Sequence, residues 1–421
     1  GSEMCIRDRH SGLLVFPVLI LCGAADVLLR WQTASQDMEK RRGRETRRYA
    51  LQLTGALCVV FAVSVVVLWA FYDFRYQARP AGFSLVPPFD AFVQTLTSPV
   101  GRATIVTMAR WHLLPEAYLY GLADVLDLTS KGRSSFLLGK VYPTGNWFYF
   151  PAAFLIKSTL GFLLLLLLLL VPFTRALRII TLRREVMFLV IPPTFFTGFS
   201  MVSHLNIGLR HMLPVYPFLI VLAGAAAWNW AARSRLTAGI VLALLAFHIV
   251  SSLRVFPDYL TYSNELAGGP RKTYRMLTDA NVDWAQSLKE VSVYLKAKQV
   301  HDCWFAYNHF AVSPGYYDIP CRVLPGAFTG VMGGPVPRVP SQISGTVLVS
   351  ASEASGFAWG PGEMNPYKQF MDREPDDLIG NAILVFHGTF DVPMIAGVSH
   401  AKAAQALSLI HISEPTRQAE I

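Results

Sequence analysis

The residues with most to offer chemically stand together in "HLNIGLRHMLPVYPF", residues 204–218, where Asn206, Arg210 and His211 lie close along the chain just ahead of an apolar run. A guanidinium pairs with a phosphate through two parallel N–H donors, and an imidazole adds another donor or titrates near neutral pH. Such a set could grip a phosphorylated ligand. An arginine ahead of a membrane helix also anchors that helix at lipid headgroups, and residue type alone leaves both readings open.

Three further groups qualify. Lys157, in "GNWFYFPAAFLIKSTLGFLLLLLLLLVPF", lies roughly 10 Å past an aromatic belt of Trp147, Phe148 and Tyr149 if the segment is helical. An ammonium at that depth either snorkels outward or meets an anion such as a lipid phosphate. Glu116 and Asp124, in "LLPEAYLYGLADVLDL", could orient an acceptor or a divalent metal, or simply face solvent. Cys303 and Cys321 are the only cysteines in the carboxy-terminal third. An oxidising compartment would permit a disulfide between them, with two buried thiols as the alternative. The chain shows no internal repeat, glycine-rich phosphate loop, zinc-ligand spacing or nucleophile elbow.

The elements that must position these residues are set by hydropathy. An apolar share of 53% is too high for an ordinary soluble chain of 421 residues. A membrane helix needs roughly 20 mostly apolar residues, and six stretches qualify: 11–29, 50–72, 150–172, 186–203, 212–230 and 236–253. The expected fold class is therefore an α-helical polytopic membrane protein with a transmembrane region over 10–253. After Leu253 no segment is apolar enough to span, so residues 254–406 should fold in water.

Orientation follows from basic residues. Arg30, Lys40, Arg41, Arg42, Arg44, Arg47 and Arg48 crowd one link, Arg175, Arg178, Arg183 and Arg184 another, and Arg233 and Arg235 a third. The positive-inside bias places all three in the cytoplasm. Alternating spans then put the loop 73–149, the turn at 204–211 and the carboxy-terminal domain outside. The net charge of +9 is concentrated in these short links rather than on one soluble face, which favours anionic lipid over nucleic acid as the counter-charge.

Local patterns fill in the exported parts. Leu114, Tyr118, Leu122 and Val125 or Leu126 recur at helical spacing after Pro115, predicting a helix on the membrane surface. In the first span, Asp26 and Arg30 form an i,i+4 pair. "VIPPTF" at 190–195 predicts a kink at Pro192 and Pro193. "DANVDWAQSLKEVSVYLKA" predicts a helix opened by a capping box, Asp283 with Gln286, that buries Trp284, Leu288, Val291 and Leu295. "CWFAYN" from Cys303, "GTVLVSA" from Gly345 and "AILVF" from Ala382 read as strands, so the exported domain is expected to be α/β.

Residues 1–9, "GSEMCIRDR", and the end from 407, within "SLIHISEPTRQAEI", resemble translated sequencing-adapter read-through. They are expected to be foreign, with the genuine sequence entering inside a span near Ser11.

Several separated blocks carry a family resemblance: "NIGLRHMLPVYPF", "LAGGPRKTYRMLTDANVDWAQSLKEV", "LLPEAYLYGLADV" and "GNWFYFPAAFLIKSTL". Together they resemble the dolichyl-phosphate-mannose protein mannosyltransferase-like family, bacterial GT-C type membrane glycosyltransferases, over most of residues 11–395. The resemblance implies an outward cavity roofed by surface helices, a polyprenyl-phosphate-linked sugar as donor, and an acceptor that is a protein, lipid or glycan. It implies a bacterial inner (plasma) membrane location, and contact of Arg210 and His211 to the donor phosphate; Asn206 and Lys157 join them as candidate phosphate donors by residue type and position alone. The catalytic carboxylate of such enzymes lies in the first exported loop, expected upstream of Ser11. Two other classes fit the same span count: a transporter of an anionic solute, and a non-catalytic envelope assembly protein.

Overall fold

In the computed structural model the described residues are 10–32, 39–77, 85–170, 184–307, 313–327, 329, 337–360 and 364–418. The adapter-like start at 1–9, the last residues 419–421 and the basic residues Arg175, Arg178 and Arg183 lie outside them. The chain divides into two compact units. One holds Gly1–Gly132, Leu165–Leu205 and Met212–Ala238; the other holds Arg133–Leu164, Asn206–His211 and Gly239–Ile421. This division crosses the expected boundary at residue 253, because polar segments before and after it are knitted together by the hydrogen bonds described below.

In the first unit, α1 (Val15–Gln32) packs on α2 (Glu39–Phe71). Asp26 of α1 makes the expected pair with Arg30 at 3.5 Å, and also meets Arg184 at 2.8 Å and the Tyr49 hydroxyl at 2.6 Å. A carboxylate buried in an apolar helix is tolerable only with such partners. Three further helices, α3 (Phe89–Gln94), α4 (Pro99–Arg110) and α5 (Glu116–Lys131), share a core of Val93, Leu96, Ile105, Leu119 and Ala123. The predicted helix is present as α5, but its most buried line is Leu119 and Ala123, one position over from the expected Tyr118 and Leu122.

In the second unit, β1 (Ser135–Leu137) and β2 (Lys140–Tyr142) form a hairpin whose two turn residues, Leu138 and Gly139, both have positive φ, as the strand twist demands. The predicted span at 150–172 is broken. Its helices α6 (Tyr149–Lys157) and α7 (Leu160–Leu167) meet at 111°. A break in an apolar segment exposes carbonyls that lipid cannot satisfy, and Asn264 supplies the partners. Its side-chain amide donates to the carbonyls of Leu155 and Ser158, and its backbone N–H to that of Ile156.

Back in the first unit, α8 (Arg184–Val202) packs against α1 and α9 (Tyr216–Ala231), and it runs through Pro192 and Pro193 as one helix. The next helix, α10 (Arg235–Leu253), approaches the start of α7 within the second unit. The contact point is Gly161, where a Cβ would sit 2.6 Å from the Leu244 carbonyl oxygen, so only glycine fits. Beside it, Thr159 Oγ1 hydrogen-bonds His248 Nδ1 at 2.6 Å.

Five described helical segments are long and apolar enough to cross a membrane: 12–31, 43–70, 184–202, 209–231 and 235–253. Counting the bent pair as one span brings the total to the six expected. The chain is thus mostly helical, with a sheet region toward its carboxy terminus.

That sheet has five strands: β3 (Cys303–Ala306), β4 (Arg322–Leu324), β5 (Gln342–Ser350), β6 (Asp377–Ile379) and β7 (Ile383–Asp391), in the order β4-β3-β5-β7-β6. The three central strands are the three predicted ones. β3 is parallel to both neighbours, and β5, β7 and β6 are antiparallel. A disulfide joins Cys303 and Cys321.

The sheet packs against α11 (Leu288–Ala297), with Leu288, Val291 and Leu295 buried as predicted. The capping box is not formed. Ala285 has φ +70°, so the chain cannot be helical there, and the helix starts at Leu288 without Trp284. Asp283 instead accepts from Ala285 N, and Gln286 reaches back to Trp284 N and Val282 O. Short helices α12 (Ala351–Ser355) and α13 (Lys368–Met371) and the terminal α14 (Pro393–Gln418) complete the unit.

Candidate functional site

Residues 206–211 belong to the second unit, and what receives them is the segment "DANVDW", 279–284. Gly208, at φ +144°, lies so close to Ala280 that a Cβ would come within 3.1 Å of the Ala280 methyl. This approach lets Leu209 N donate to Asn281 Oδ1 at 2.9 Å. The other end of the Asn281 amide donates to the Tyr149 hydroxyl at 2.7 Å. Asn206 is buried, and its Oδ1 accepts from Asn146 N at 2.6 Å. Asn206 and Asn281 therefore act as clamps on the loop, and Asn206 Nδ2 has no hydrogen-bond partner among the described residues.

Arg210 is thereby held beside Trp284, its guanidinium carbon 5.6 Å from the ring centre. Its charge also reaches Asp279, where it favours the ionised carboxyl. A second guanidinium approaches the same carboxylate, with Arg133 Nη2 3.7 Å from Asp279 Oδ2. The Asp279 side chain is only 7% exposed while Arg133 is 31% exposed. Burial raises the Asp279 carboxyl above its ordinary value, and the two arginines and the Ala280 N–H pull the other way. Asp283 is buried nearby and burial pushes it up to about 6. The His211 ring stands edge-on to Phe150, centres 6.3 Å apart.

Lys157 takes neither of its expected courses. Its ammonium donates to the main-chain carbonyls of Leu260, at 2.5 Å, and Asn281, at 2.7 Å. It ties α6 to the two segments that follow α10, the second of which also receives residues 206–211. Glu116 and Asp124 belong to the first unit. Glu116 is buried at the start of α5 and accepts from Gln77 at 3.3 Å, rather than standing on a solvated face. Asp124 is half-buried. Among the described residues, no three His, Cys, Asp or Glu side chains gather where they could hold a metal ion.

The two residues that sequence reasoning passed over are Arg133 and Asp279. Asp279 sat in plain view in "DANVDW", four residues from Asp283, and two carboxylates and an amide within five residues were the available signal. Arg133 follows a glycine in a short link, and no local pattern connects it to a residue 146 positions on.

No family model matches this chain, and neither a curated protein nor a solved structure does.

Proposed function

We propose that this chain is part of a multi-pass glycosyltransferase of a bacterial plasma membrane, which moves a sugar from a polyprenyl-phosphate donor to an acceptor outside the cytoplasm. The observation that carries the reading is the placement of Arg133 Nη2 3.7 Å from the buried carboxylate of Asp279, with Arg210 held beside Trp284 where its charge is felt at the same carboxylate. Guanidinium groups placed around an oxyanion suit a phosphate, whose oxygens accept the same paired N–H donors. Asp279 serves as the resident counter-ion that keeps Arg133 in place. The blocks resembling the mannosyltransferase-like family supply the rest of the reading: the lipid-linked donor, the outward face and a hexosyl or mannosyl group.

In such a transfer an acceptor oxygen attacks the anomeric carbon, the bond from that carbon to the phosphate oxygen breaks, and its electron pair stays on the phosphate. Negative charge grows on the leaving oxygen. Arg210 and Arg133 oppose it, with His211 as a further donor, while a carboxylate base takes the acceptor proton.

Arg210→Ala in the intact protein should lower transfer from a polyprenyl-phosphate sugar by about 10²–10³-fold, the effect of removing one preorganised donor, with membrane insertion unchanged. Full turnover in that variant would leave Arg210 as a headgroup anchor. The transporter and assembly readings predict no transfer in the parent either.

A further inference from the structure

Arg133 also lines a cleft of the second unit, about 420 Å³ in volume, whose other walls are Ser134, Pro143 and the run Phe357–Gly360. That volume falls in the range of about 300–1,000 Å³ typical of small-molecule sites. The aromatic wall is held firmly. Trp359 Nε1 donates to Glu353 Oε2 at 2.7 Å, and the buried Glu353 also accepts from Ala327 N. Lys402 Nζ lies 5.6 Å from the Trp359 ring centre, itself fixed by the carbonyls of Ala327 and Thr329. Ser134 borders the cleft beside Arg133, with its hydroxyl buried beneath the surface.

The lining sorts ligands by chemistry. An inorganic anion would use Arg133 and waste the aromatic wall, and an apolar compound would leave the exposed part of the Arg133 guanidinium, met otherwise among the described residues only by Asp279 at 3.7 Å, without a counter-charge. A sugar ring offers a C–H face for indole and, when charged, an anion for guanidinium. We infer that this cleft binds a monosaccharide bearing an anionic group, phosphate or carboxylate. The inference rests on the glycosyl-transfer reading for its preference for a sugar, and binding is measured without turnover so that the two can fail separately.

The test is calorimetric titration of the full chain in lipid nanodiscs with glucose 1-phosphate, glucuronate, glucose, inorganic phosphate and uridine 5′-monophosphate. At least one of the first two should bind saturably and at least tenfold tighter than glucose or inorganic phosphate, the tighter of them identifying the anionic group. Ala358→Trp, which fills the cleft, should abolish that binding. Arg133→Gln removes the cation of the lining, and should erase the preference for the charged sugar over glucose. Equal binding of inorganic phosphate, tighter binding of the nucleotide, no saturable binding of either charged sugar, or indifference to both variants would overturn the assignment. Loss of transfer in Arg210→Ala with no charged-sugar binding would overturn the cleft alone.

Discussion

Lys157 Nζ donates to the main-chain carbonyl of Asn281 at 2.7 Å, across 124 residues of chain. With the Leu260 carbonyl on the same ammonium, one side chain ties the end of α6 to the segment that presents Asp279. Lys157→Met should leave both carbonyls short of a donor, at about 1–3 kcal/mol each. Thermal unfolding in detergent would read this as a clear drop in midpoint. An unchanged midpoint would mean that the two carbonyls find other partners.

Gly161→Ala should be costly for a residue change of one methyl group. The new Cβ would meet backbone atoms of α10, the Leu244 oxygen at 2.6 Å and the His248 nitrogen at 2.9 Å, neither of which can rotate away. Overpacking of this kind costs about 1–3 kcal/mol. It should also stretch the Thr159–His248 hydrogen bond, visible as a changed histidine ring signal in NMR. Gly139→Ala serves as a comparison: no atom lies near its added methyl, and only the strain of its positive φ is felt.

These two sites show where sequence reading stops. Hydropathy located the apolar helices because length and composition decide them, and Leu288, Val291 and Leu295 announced their shared face through spacing. The strands from Cys303, Gly345 and Ala382 were legible for the same local reason. The break after Lys157 was not, since the leucine run that follows "KST" restores the hydropathy of a full span and the stabilising partner of the break, Asn264, is more than a hundred residues away. The Arg133–Asp279 pair was hidden by the same distance. Asp283 misled because its spacing to Gln286 imitates a helix start that the left-handed conformation of Ala285 forbids.

Glu353 should make stability depend on pH. Burial pushes its carboxyl from 4.5 up to about 7; the Trp359 and Ala327 donors and the charge of Lys402 oppose the rise, and Asp283 adds to it. The folded state binds this proton more tightly than the unfolded state. Its contribution is therefore complete below the unfolded value and is lost as pH rises through about 7. Glu353→Gln removes this dependence, worth on the order of 3 kcal/mol between about pH 4 and pH 8. Urea unfolding followed by tryptophan fluorescence should show a shallower pH profile in the variant, and parallel profiles would discount the effect.

Breaking the Cys303–Cys321 bond should destabilise the sheet region by about 2–4 kcal/mol, as expected when a cross-link over 18 residues is lost. The bond joins the start of β3 to the residue before β4, so Cys303→Ser with Cys321→Ser should fray that edge first. Hydrogen exchange would locate the loss at residues 303–306 and 322–324. Uniform exchange across the whole sheet would show that the edge does not open separately.

The elbow at Ser158 has a consequence for biosynthesis. While a ribosome is still making the chain, a bend would leave the carbonyls of Leu155, Ile156 and Ser158 without Asn264, which emerges more than a hundred residues later, whereas a straight helix bonds them to amides four residues on. The segment should therefore enter the translocon straight and acquire its angle only after α10 has followed it, so that chains arrested before Asn264 carry a rod where the finished protein has a corner.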